Sequence, residues 1–594
     1  MRSFIISLGW LGTALAACGP AAGVDPSGHG ALLSIEVQPA NAALEWTGTP
    51  ATLDYTAVGH YEDGTVGALP AAVFSLDEPG ARLGSLAAAK FSASGVAAGK
   101  GGVTATFDDQ SGATSVIVTV HTTTLGDGVD PGAAGQFGNA SPAGPLSQAI
   151  VYPLDQAVVP TSAKPPDVQW EGALTGADDL YRVRLVAGGA TEDTILSAPA
   201  GSHFAPPAAG WQTLVNSLEG GSLTLTVDHW DATTGAQGGA PVRLKLVSAQ
   251  VTGAIYYWHL DAGRMERIDE MGRAPAIPAP PANPGDGNHC VACHSVSRDG
   301  RYLAGSMWGG GLEGAVFDMS SDAVRTGNPA PTVAPLVANS TYRQLFTTFN
   351  PDATRLMINE GLSLRVVDPQ NPVSIATTGT PLPQTGAAHP SWSPDGSAVA
   401  FIDNVTLGGA VAPWAVDYDR GDLSIIPVTG PDAFGPAAPI VPAAGAAFAA
   451  PSWPTWTPDS NYIAYGAGTN SRGSANASSG RTEYPGSLFL VGRAGGTVQR
   501  LDRACKGLPR CYLPNFGPFD AGGYYWLIYY SFQDYGNASV GTKGTNRRQM
   551  WITAIDKSKL GTGEDPSSVP YWVPDQDSTS QNMSAFWALP APIQ

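Results

Sequence analysis

The sequence predicts an all-β protein in which two β-sandwich domains are followed by a six-bladed β-propeller. Charged residues make up only 14% of the 594 residues, and long charged helices need many more of them. Short segments that alternate apolar and polar residues recur at regular spacing in the N-terminal part of the chain. In the C-terminal half a turn motif repeats, and an alternating strand follows each copy.

The balance of charges argues against nucleic acid and anionic lipid as partners. The chain has 31 Lys and Arg residues against 50 Asp and Glu residues, which gives a net charge of −19. A chain this acidic is poorly suited to binding nucleic acid or anionic lipid by electrostatic attraction. We therefore expect a loop-rich exported protein with no nucleic-acid partner.

Residues 1–17 have the features of an export signal. Arg2 precedes an apolar segment that is too short to remain in a bilayer as a helix. The segment ends in Leu15-Ala16-Ala17-Cys18, which resembles the lipobox of bacterial lipoproteins. That resemblance implies cleavage before Cys18, a diacylglyceryl group on its sulfur, and a lipid anchor as the only contact with a membrane. Gly19, rather than an aspartate, follows the cysteine, and by resemblance to enterobacterial lipoproteins this favours the outer membrane, with the protein facing the periplasm or the outside. The alternative is an ordinary signal peptide that contains a cysteine.

Residues 18–30 are rich in small residues and are interpreted as a tether. Residues 31–122 form the first predicted β domain, with strands expected at 73–76, 90–99, 102–107 and 115–121. This region resembles the bacterial Ig-like group 2 domain at Ile35–Pro39, Tyr61–Thr65 and Val116–Val120. The resemblance implies a spacer, and an adhesion module is the alternative.

Residues 123–146 are rich in Gly, Asp and Pro and are predicted to be a linker. The second β domain follows at 147–252, where Trp170 and Tyr181 are suited to the core of a sandwich. It resembles a fibronectin type III or Ig-like domain. Together the two domains are expected to hold the propeller away from the membrane.

The predicted propeller, residues 253–594, is recognised by four aligned turns: Ser297–Gly300, Asn350–Ala353, Ser393–Gly396 and Thr457–Ser460. The aspartate in each turn can accept backbone N–H bonds, so we assign the four aspartates a structural role. The repeat resembles that of TolB-like propellers, the PD40 or WD40-like type. This resemblance implies a scaffold that binds a protein, a peptide or a glycan.

The ends of the propeller are predicted to close on each other. Residues 516–519 and the strands after them form a degenerate fifth copy. Residues 254–269 have the pattern of an outer strand pair without an inner strand, and residues 580–590 have the pattern of an inner strand without an outer pair. Together they complete a sixth blade, which removes exposed sheet edges.

The remaining four cysteines form two pairs. Cys505 and Cys511 lie in one loop rich in Gly and Pro, and in an oxidising compartment we expect a disulfide between them, with two free thiols as the alternative. Cys290, Cys293 and His294 form a C-x-x-C-H motif, the attachment pattern of c-type haem. The motif predicts one haem c per chain, with both thiols bound to its vinyl groups and His294 as the proximal iron ligand. The alternatives are a Cys290–Cys293 disulfide with a structural histidine, or another metal with His289 as the nearest further ligand.

The sixth ligand of such a haem is not determined by the sequence. Met307 and His389 are the first candidates, followed by Met271 and Met319, and each of them is also suited to packing in a core. A pentacoordinate haem is a further alternative.

The sequence contains no H-E-x-x-H, G-x-S-x-G or P-loop motif. Electron transfer with an envelope redox partner is therefore the first functional hypothesis. A haem-free binding scaffold is the alternative, and a hydrolase or lyase is third.

Overall fold

The computed structural model describes residues 29–590 except for 139, 141–143, 145–146, 173–175, 200, 219–220, 278–281, 284, 288–290, 308–312, 321–343, 371–373, 407–417, 446–447, 469, 472–485 and 509. The predicted signal peptide, Cys18 and Cys290 lie outside these residues. The chain divides into two compact units, residues 1–122 and 123–594. In the described part no helix is long and apolar enough to cross a membrane. The two α-helices there are short, so the prediction of an all-β protein is confirmed.

The first unit consists of short strands and one helix. They are β1 (Leu32–Gln38), β2 (Ala42–Trp46), β3 (Thr52–Asp54), β4 (Thr56–Tyr61), β5 (Val66–Ala68), β6 (Val73–Leu76), α1 (Glu78–Leu83), β7 (Gly84–Ala87), β8 (Lys90–Ala93), β9 (Gly99–Phe107) and β10 (Gln110–Leu125). One sheet has the order β1-β4-β5 and another the order β3-β8-β7. In a third, β10 pairs in parallel with β2 and antiparallel with β9, and β9 pairs with β6.

Side-chain alternation explains which face of β10 is buried. Val116, Val118 and Val120 are buried, whereas Ile117 and Thr119 are exposed. Successive side chains of a strand point to opposite faces of its sheet, so the three valines share the face that packs on the core.

The first part of the second unit contains a second group of strands and one helix. They are β11 (Ala149–Tyr152), β12 (Val158–Pro160), β13 (Val168–Glu171), β14 (Leu180–Ala187), β15 (Ala190–Ser197), β16 (His203–Phe204), α2 (Ala208–Asn216), β17 (Ser222–Asp231), β18 (Gly235–Gln237) and β19 (Val242–Val247). Strands β12, β19, β17, β14 and β15 form one sheet in that order, and β11, β13 and β16 form another. The predicted core pair is confirmed: Trp170 and Tyr181 are fully buried, and their ring centroids lie 6.0 Å apart.

These strands pack against the last repeat of the C-terminal half, through the loop around Asn537. Asn537 Nδ2 donates hydrogen bonds to the carbonyl oxygens of Gly201 at 2.8 Å and Ser202 at 3.1 Å. The Asn537 amide N–H donates to Gln169 Oε1 at 3.0 Å. Because all these groups are buried or half-buried, the two regions share one interior.

Among the described residues of the C-terminal half, the strands form six sheets. They contain β20 (Ala254–His259), β21 (Arg264–Asp269), β22 (Gly272–Pro275) and β43 (Asn582–Ala588); β23 (Val291–Val296), β24 (Tyr302–Met307) and β25 (Glu313–Asp318); β26 (Phe346–Phe349), β27 (Leu356–Glu360) and β28 (Ser363–Val367); β29 (Thr378–Gly379), β30 (Ala388–Trp392), β31 (Ala398–Thr406), β32 (Arg420–Gly430), β33 (Ala433–Phe434) and β34 (Ala438–Val441); β35 (Ala450–Trp456), β36 (Tyr462–Gly468), β37 (Gly486–Gly492) and β38 (Gln499–Arg500); and β39 (Cys511–Ala521), β40 (Tyr524–Ser531), β41 (Gln549–Asp556) and β42 (Tyr571–Trp572).

One strand of each sheet contacts the equivalent strand of the next sheet. These inner strands are β23, β26, β30, β35, β39 and β43, and β43 in turn contacts β23, so they close a ring around an axis. Sheets arranged around an axis in this way form a β-propeller. The predicted pairing of the ends is found: β43 runs antiparallel to β20, with Trp587 opposite Ile255.

The repeated turns follow the inner strands and are held as the sequence predicts. In the fourth sheet Ser393 Oγ donates to Asp395 Oδ1 at 2.5 Å and accepts from Ala398 N–H at 3.0 Å. Thr457 and Asp459 repeat the same arrangement in the next sheet, with the hydroxyl donating to the carboxylate at 2.6 Å. The aspartate carboxylates therefore tie the turns together.

Cys505 and Cys511 form a disulfide, which confirms the predicted pair. Their Cα atoms lie 5.9 Å apart, and the bond closes the loop that leads into β39. Tyr529 Oη donates to the Ala504 carbonyl at 2.5 Å and holds the same loop against β40.

Candidate functional site

A cavity lies on the axis of the ring where the inner strands begin, and we call it the first axial cavity. Its volume is about 620 Å³, part of which is open to solvent, and all six inner strands contribute to its wall. The wall is formed by Cys293, His294, Phe346, Thr347, His389, Pro390, Ser391, Trp453, Pro454, Leu513, Pro514, Asn515, Ser584, Ala585 and Phe586. None of these described lining residues is an aspartate, glutamate, lysine or arginine, so the wall is uncharged when the histidines are neutral.

A β-bulge recurs around the cavity and sets the direction of these side chains. The pairing register shifts in five inner strands at the same place. The first residue of each bulge has a positive φ: Cys293 49°, His389 49°, Trp453 57°, Leu513 51° and Ser584 55°. Because a bulge adds a residue to one strand, it re-aims side chains locally, here towards the cavity. Cys293 and His389 therefore occupy equivalent positions in their strands, as do His294 and Pro390.

His389 is fixed in the wall by its neighbours. Its Nδ1 accepts a hydrogen bond from the Trp453 amide N–H at 3.4 Å and lies 3.1 Å from Tyr418 Oη. The ring stacks on Trp453 with centroids 4.1 Å apart and meets Phe346 edge-on at 4.4 Å. Burial lowers the pKa of His389 to about 3, so the ring is neutral at neutral pH. Since Nδ1 accepts, the proton resides on Nε2.

His294 lines the same cavity but is oriented differently. Its Nε2 donates a hydrogen bond to the Tyr256 carbonyl at 3.4 Å, and the ring lies edge-on to Phe586 with centroids 6.3 Å apart. Nδ1 is buried and has no hydrogen-bond partner among the described residues. Burial lowers the pKa of His294 to about 4.

The described residues include part of the predicted haem site. Cys293 and His294 stand at the edge of a cavity, as covalent attachment requires, whereas Cys290 lies outside the described residues. An axial ligand must offer an unoccupied ring nitrogen to the iron: His294 Nε2 is bonded to the Tyr256 carbonyl, whereas Nδ1 has no hydrogen-bond partner among the described residues. Haem attachment stays a prediction of the motif. In the described part of the chain no three His, Cys, Asp or Glu side chains are grouped to hold a metal ion.

The candidate sixth ligands are separated by the fold. His389 shares the first axial cavity with His294. Met307 and Met319 are buried in a hydrophobic cluster that includes Val291, and neither lines the cavity. Met271 is 68% exposed. The structure therefore brings together only one of these four candidates with His294.

Phe346, Trp453 and Leu513 are cavity residues that the sequence analysis did not single out. Phe346 and Trp453 stand four positions before the first residue of their turns, as Cys293 and His389 do. Comparing the residue four positions before each turn across the repeats would have identified Phe346 and Trp453.

A serine, a histidine and an aspartate also meet in the closing sheet. Ser580 Oγ lies 3.2 Å from His259 Nδ1, and His259 Nε2 lies 3.5 Å from Asp577 Oδ2. His259 Nδ1 also accepts from the Ala262 amide N–H at 3.0 Å, and Ser580 is only 2% exposed. A catalytic base needs its nitrogen available to a reachable nucleophile, so this cluster has a structural role.

Comparisons with known proteins leave the family of the chain open. No protein-family model and no curated protein matches it. Among solved structures, a putative TolB from Agrobacterium tumefaciens matches 57% of this chain and 99% of its own at 12% identity and a TM-score of 0.28. A nidogen/laminin complex matches 57% of this chain and 99% of its own at 8% identity and a TM-score of 0.34. An ancestral GH74 enzyme matches 58% of this chain and 39% of its own at 8% identity and a TM-score of 0.31. These scores carry no argument about function, and the ring of inner strands is what identifies the chain as an all-β protein with a β-propeller.

Proposed function

We propose that residues 253–594 are a six-bladed, TolB-like propeller that serves as a binding scaffold in the cell envelope. In this proposal the first axial cavity holds an apolar or aromatic group of a protein partner. The observation that carries it is the wall itself, which is built from every inner strand and has no charged side chain among its described residues. Ligand sites are concave and mostly apolar, and they contain a few polar groups that fix the orientation of the ligand.

The aromatic residues supply the attraction. Trp453, Phe346 and Phe586 line the cavity, and each can contribute a large apolar surface to a guest side chain. Phe346, His389 and Trp453 already contact one another, so little ordering is needed when a partner binds. The proposed lipid anchor at Cys18 and the proposed Ig-like domains would present this cavity away from the membrane.

A cavity-filling variant tests the proposal. Leu513→Trp places an indole in the cavity at a position whose φ of 51° is matched by Trp453 at 57° in the neighbouring sheet, so the backbone accepts it. Leu260→Trp, at an exposed leucine outside the cavity, is the matched control. Peptides selected from a displayed library on the immobilised full-length protein should bind the control as they bind the wild type. They should bind Leu513→Trp at least ~10-fold more weakly. Equal binding to all three proteins would refute the cavity as the binding site.

Electron transfer is the second candidate, and the C-x-x-C-H motif favours it. A c-type haem held by Cys290 and Cys293 would supply one-electron chemistry to an envelope redox partner. His294 would offer either Nδ1, which has no hydrogen-bond partner among the described residues, or Nε2 after release of the Tyr256 carbonyl.

A further inference from the structure

A second cavity lies on the same axis at the other end of the inner strands, beside the repeated turns. We call it the second axial cavity; its volume is about 640 Å³, part of it open to solvent. Its wall includes an aromatic residue from five of the sheets: Phe349, Trp392, Trp456, Phe516 and Trp587. It shares Ser391, Asn515 and Phe586 with the first axial cavity, so the two adjoin along the axis.

Arg298 is the one charged side chain among the described residues of this wall. No hydrogen bond or ion pair joins its guanidinium to any other described residue. Other arginines close to the turns are paired: Arg493 lies 2.8 Å from Asp395, and Arg355 lies 2.7 Å from Asp432. Arg298 thus differs from its neighbours in having a cavity where they have a carboxylate.

The directions of the two pKa shifts follow the same difference in pairing. Burial alone lowers the pKa of Arg298, whereas the hydrogen bond that Arg355 donates to Asp432 raises the pKa of Arg355. Arginine nevertheless stays charged at neutral pH. A cation that is partly removed from water, with no counter-ion among the described residues, gains from an anion that enters the cavity.

We propose that the second axial cavity binds a carboxylate carried on an aromatic or apolar body, with Arg298 as the ion-pair partner. The planar guanidinium matches a carboxylate with two parallel N–H···O bonds. A single positive charge in a chain of net charge −19 favours a singly charged ligand over a phosphate dianion. The aromatic wall would cover the body of the ligand. This carboxylate can belong to a free aromatic acid or to the C-terminal residue of a protein.

Two probes that differ only at the charged group test the proposal. N-acetyl-tryptophan carries the carboxylate and N-acetyl-tryptophanamide does not, and both are titrated by calorimetry into the full-length protein. The wild type should bind the acid at least ~10-fold more tightly than the amide, because a charged, partly desolvated hydrogen-bond pair discriminates by about that factor. Arg298→Gln should remove the preference, and Arg298→Lys should keep part of it.

Arg301→Gln is the matched control, since Arg301 is paired with Asp318 at 3.4 Å and does not line the cavity. It should leave the preference unchanged. The proposal is overturned if the wild type binds the two probes equally, if it binds neither at millimolar concentration, or if Arg298→Gln keeps the preference. A short peptide that ends in a free tryptophan acid distinguishes the sources. Tighter binding than N-acetyl-tryptophan supports a protein C-terminus, and weaker binding supports a free acid.

Discussion

Trp453 stacks on His389 with their ring centroids 4.1 Å apart and their planes 19° from parallel. The two residues occupy equivalent bulge positions in the neighbouring strands β35 and β30, and the Trp453 N–H donates to His389 Nδ1. One contact therefore joins two sheets and forms part of the wall of the first axial cavity. It holds only while His389 Nδ1 is unprotonated, because a protonated nitrogen cannot accept a hydrogen bond.

The first prediction concerns the pH dependence of stability. The pKa of His389 is about 3 in the folded protein and near 6.5 when unfolded, so the unfolded state takes up the proton first. Stability from the neutral ring is fully present above pH 6.5, falls as the pH drops, and is lost completely only below about pH 3. At pH 5 the loss is about 2 kcal/mol for this residue. The fall in the free energy of unfolding between pH 7.5 and pH 5 should therefore be smaller in His389→Gln than in the wild type, by about 2 kcal/mol. The free energy of unfolding is measured by urea titration at the two pH values. An equal fall in the wild type and in His389→Gln would contradict the lowered pKa of His389.

The second prediction concerns the packing of residues 147–252 on the propeller. Asn537→Ala removes the donors to Gly201 and Ser202 and leaves two carbonyl groups without these partners in the interior. Burying unsatisfied polar groups costs about 1–3 kcal/mol. Calorimetry should show a lower Tm for the second unit, whereas Asn461→Ala at an exposed turn should change it little. Similar Tm values for the two variants would mean that Asn537 does not fasten these regions together.

The third prediction concerns the disulfide. The double substitution Cys505→Ser and Cys511→Ser opens a short loop, and constraining a loop of this size stabilises a protein by about 2 kcal/mol. We expect a lower urea concentration at the midpoint of unfolding, whereas peptides should still bind at the first axial cavity. Mass spectrometry of the wild type without reduction should find the Cys505–Cys511 peptide pair. Two alkylated thiols in its place would contradict the disulfide.

Strand patterns, and the pairing of the two ends that the repeat implies, could be predicted from the sequence, whereas individual side-chain contacts could not. The strand expected at 73–76 is β6, and the pairing of residues 254–269 with 580–590 is found in β20 and β43. Helix α2 was not expected from the sequence. Its buried residues Trp211 and Leu214 pack it against the sheet, and the sequence does not display these contacts. The side-chain directions in the first axial cavity depend on bulges, which are defined only once strands pair. Among the described residues, the Arg298 guanidinium has no carboxylate partner, unlike those of Arg355 and Arg493, and pairing is a property of the folded chain.

The fourth prediction concerns the anchor. If Cys18 is lipidated after export, the mature protein should partition into the detergent phase of a Triton X-114 extract, because acyl chains bind membranes strongly. Cys18→Ser should move it to the aqueous phase, and intact-mass measurement should show the loss of the diacylglyceryl group. Cys505→Ser with Cys511→Ser serves as a control for loss of cysteine in general and should stay in the detergent phase. An aqueous wild type would favour an ordinary signal peptide.

The last prediction decides between haem and disulfide at the C-x-x-C-H motif. The protein is exported from a host with cytochrome c maturation machinery, and a pyridine haemochrome spectrum is recorded. If haem is attached at Cys290 and Cys293, the spectrum should show a c-type signal near one haem per chain, and Cys293→Ser should reduce it strongly. His294 would then be an iron ligand, so His294→Gln should alter the Soret band while the thioether bonds form. A colourless, correctly exported protein whose Cys290 and Cys293 are joined to each other would exclude the redox function. In that case His294 is a structural residue that packs against Phe586, and the axial cavities are the sites at which a function has to be sought.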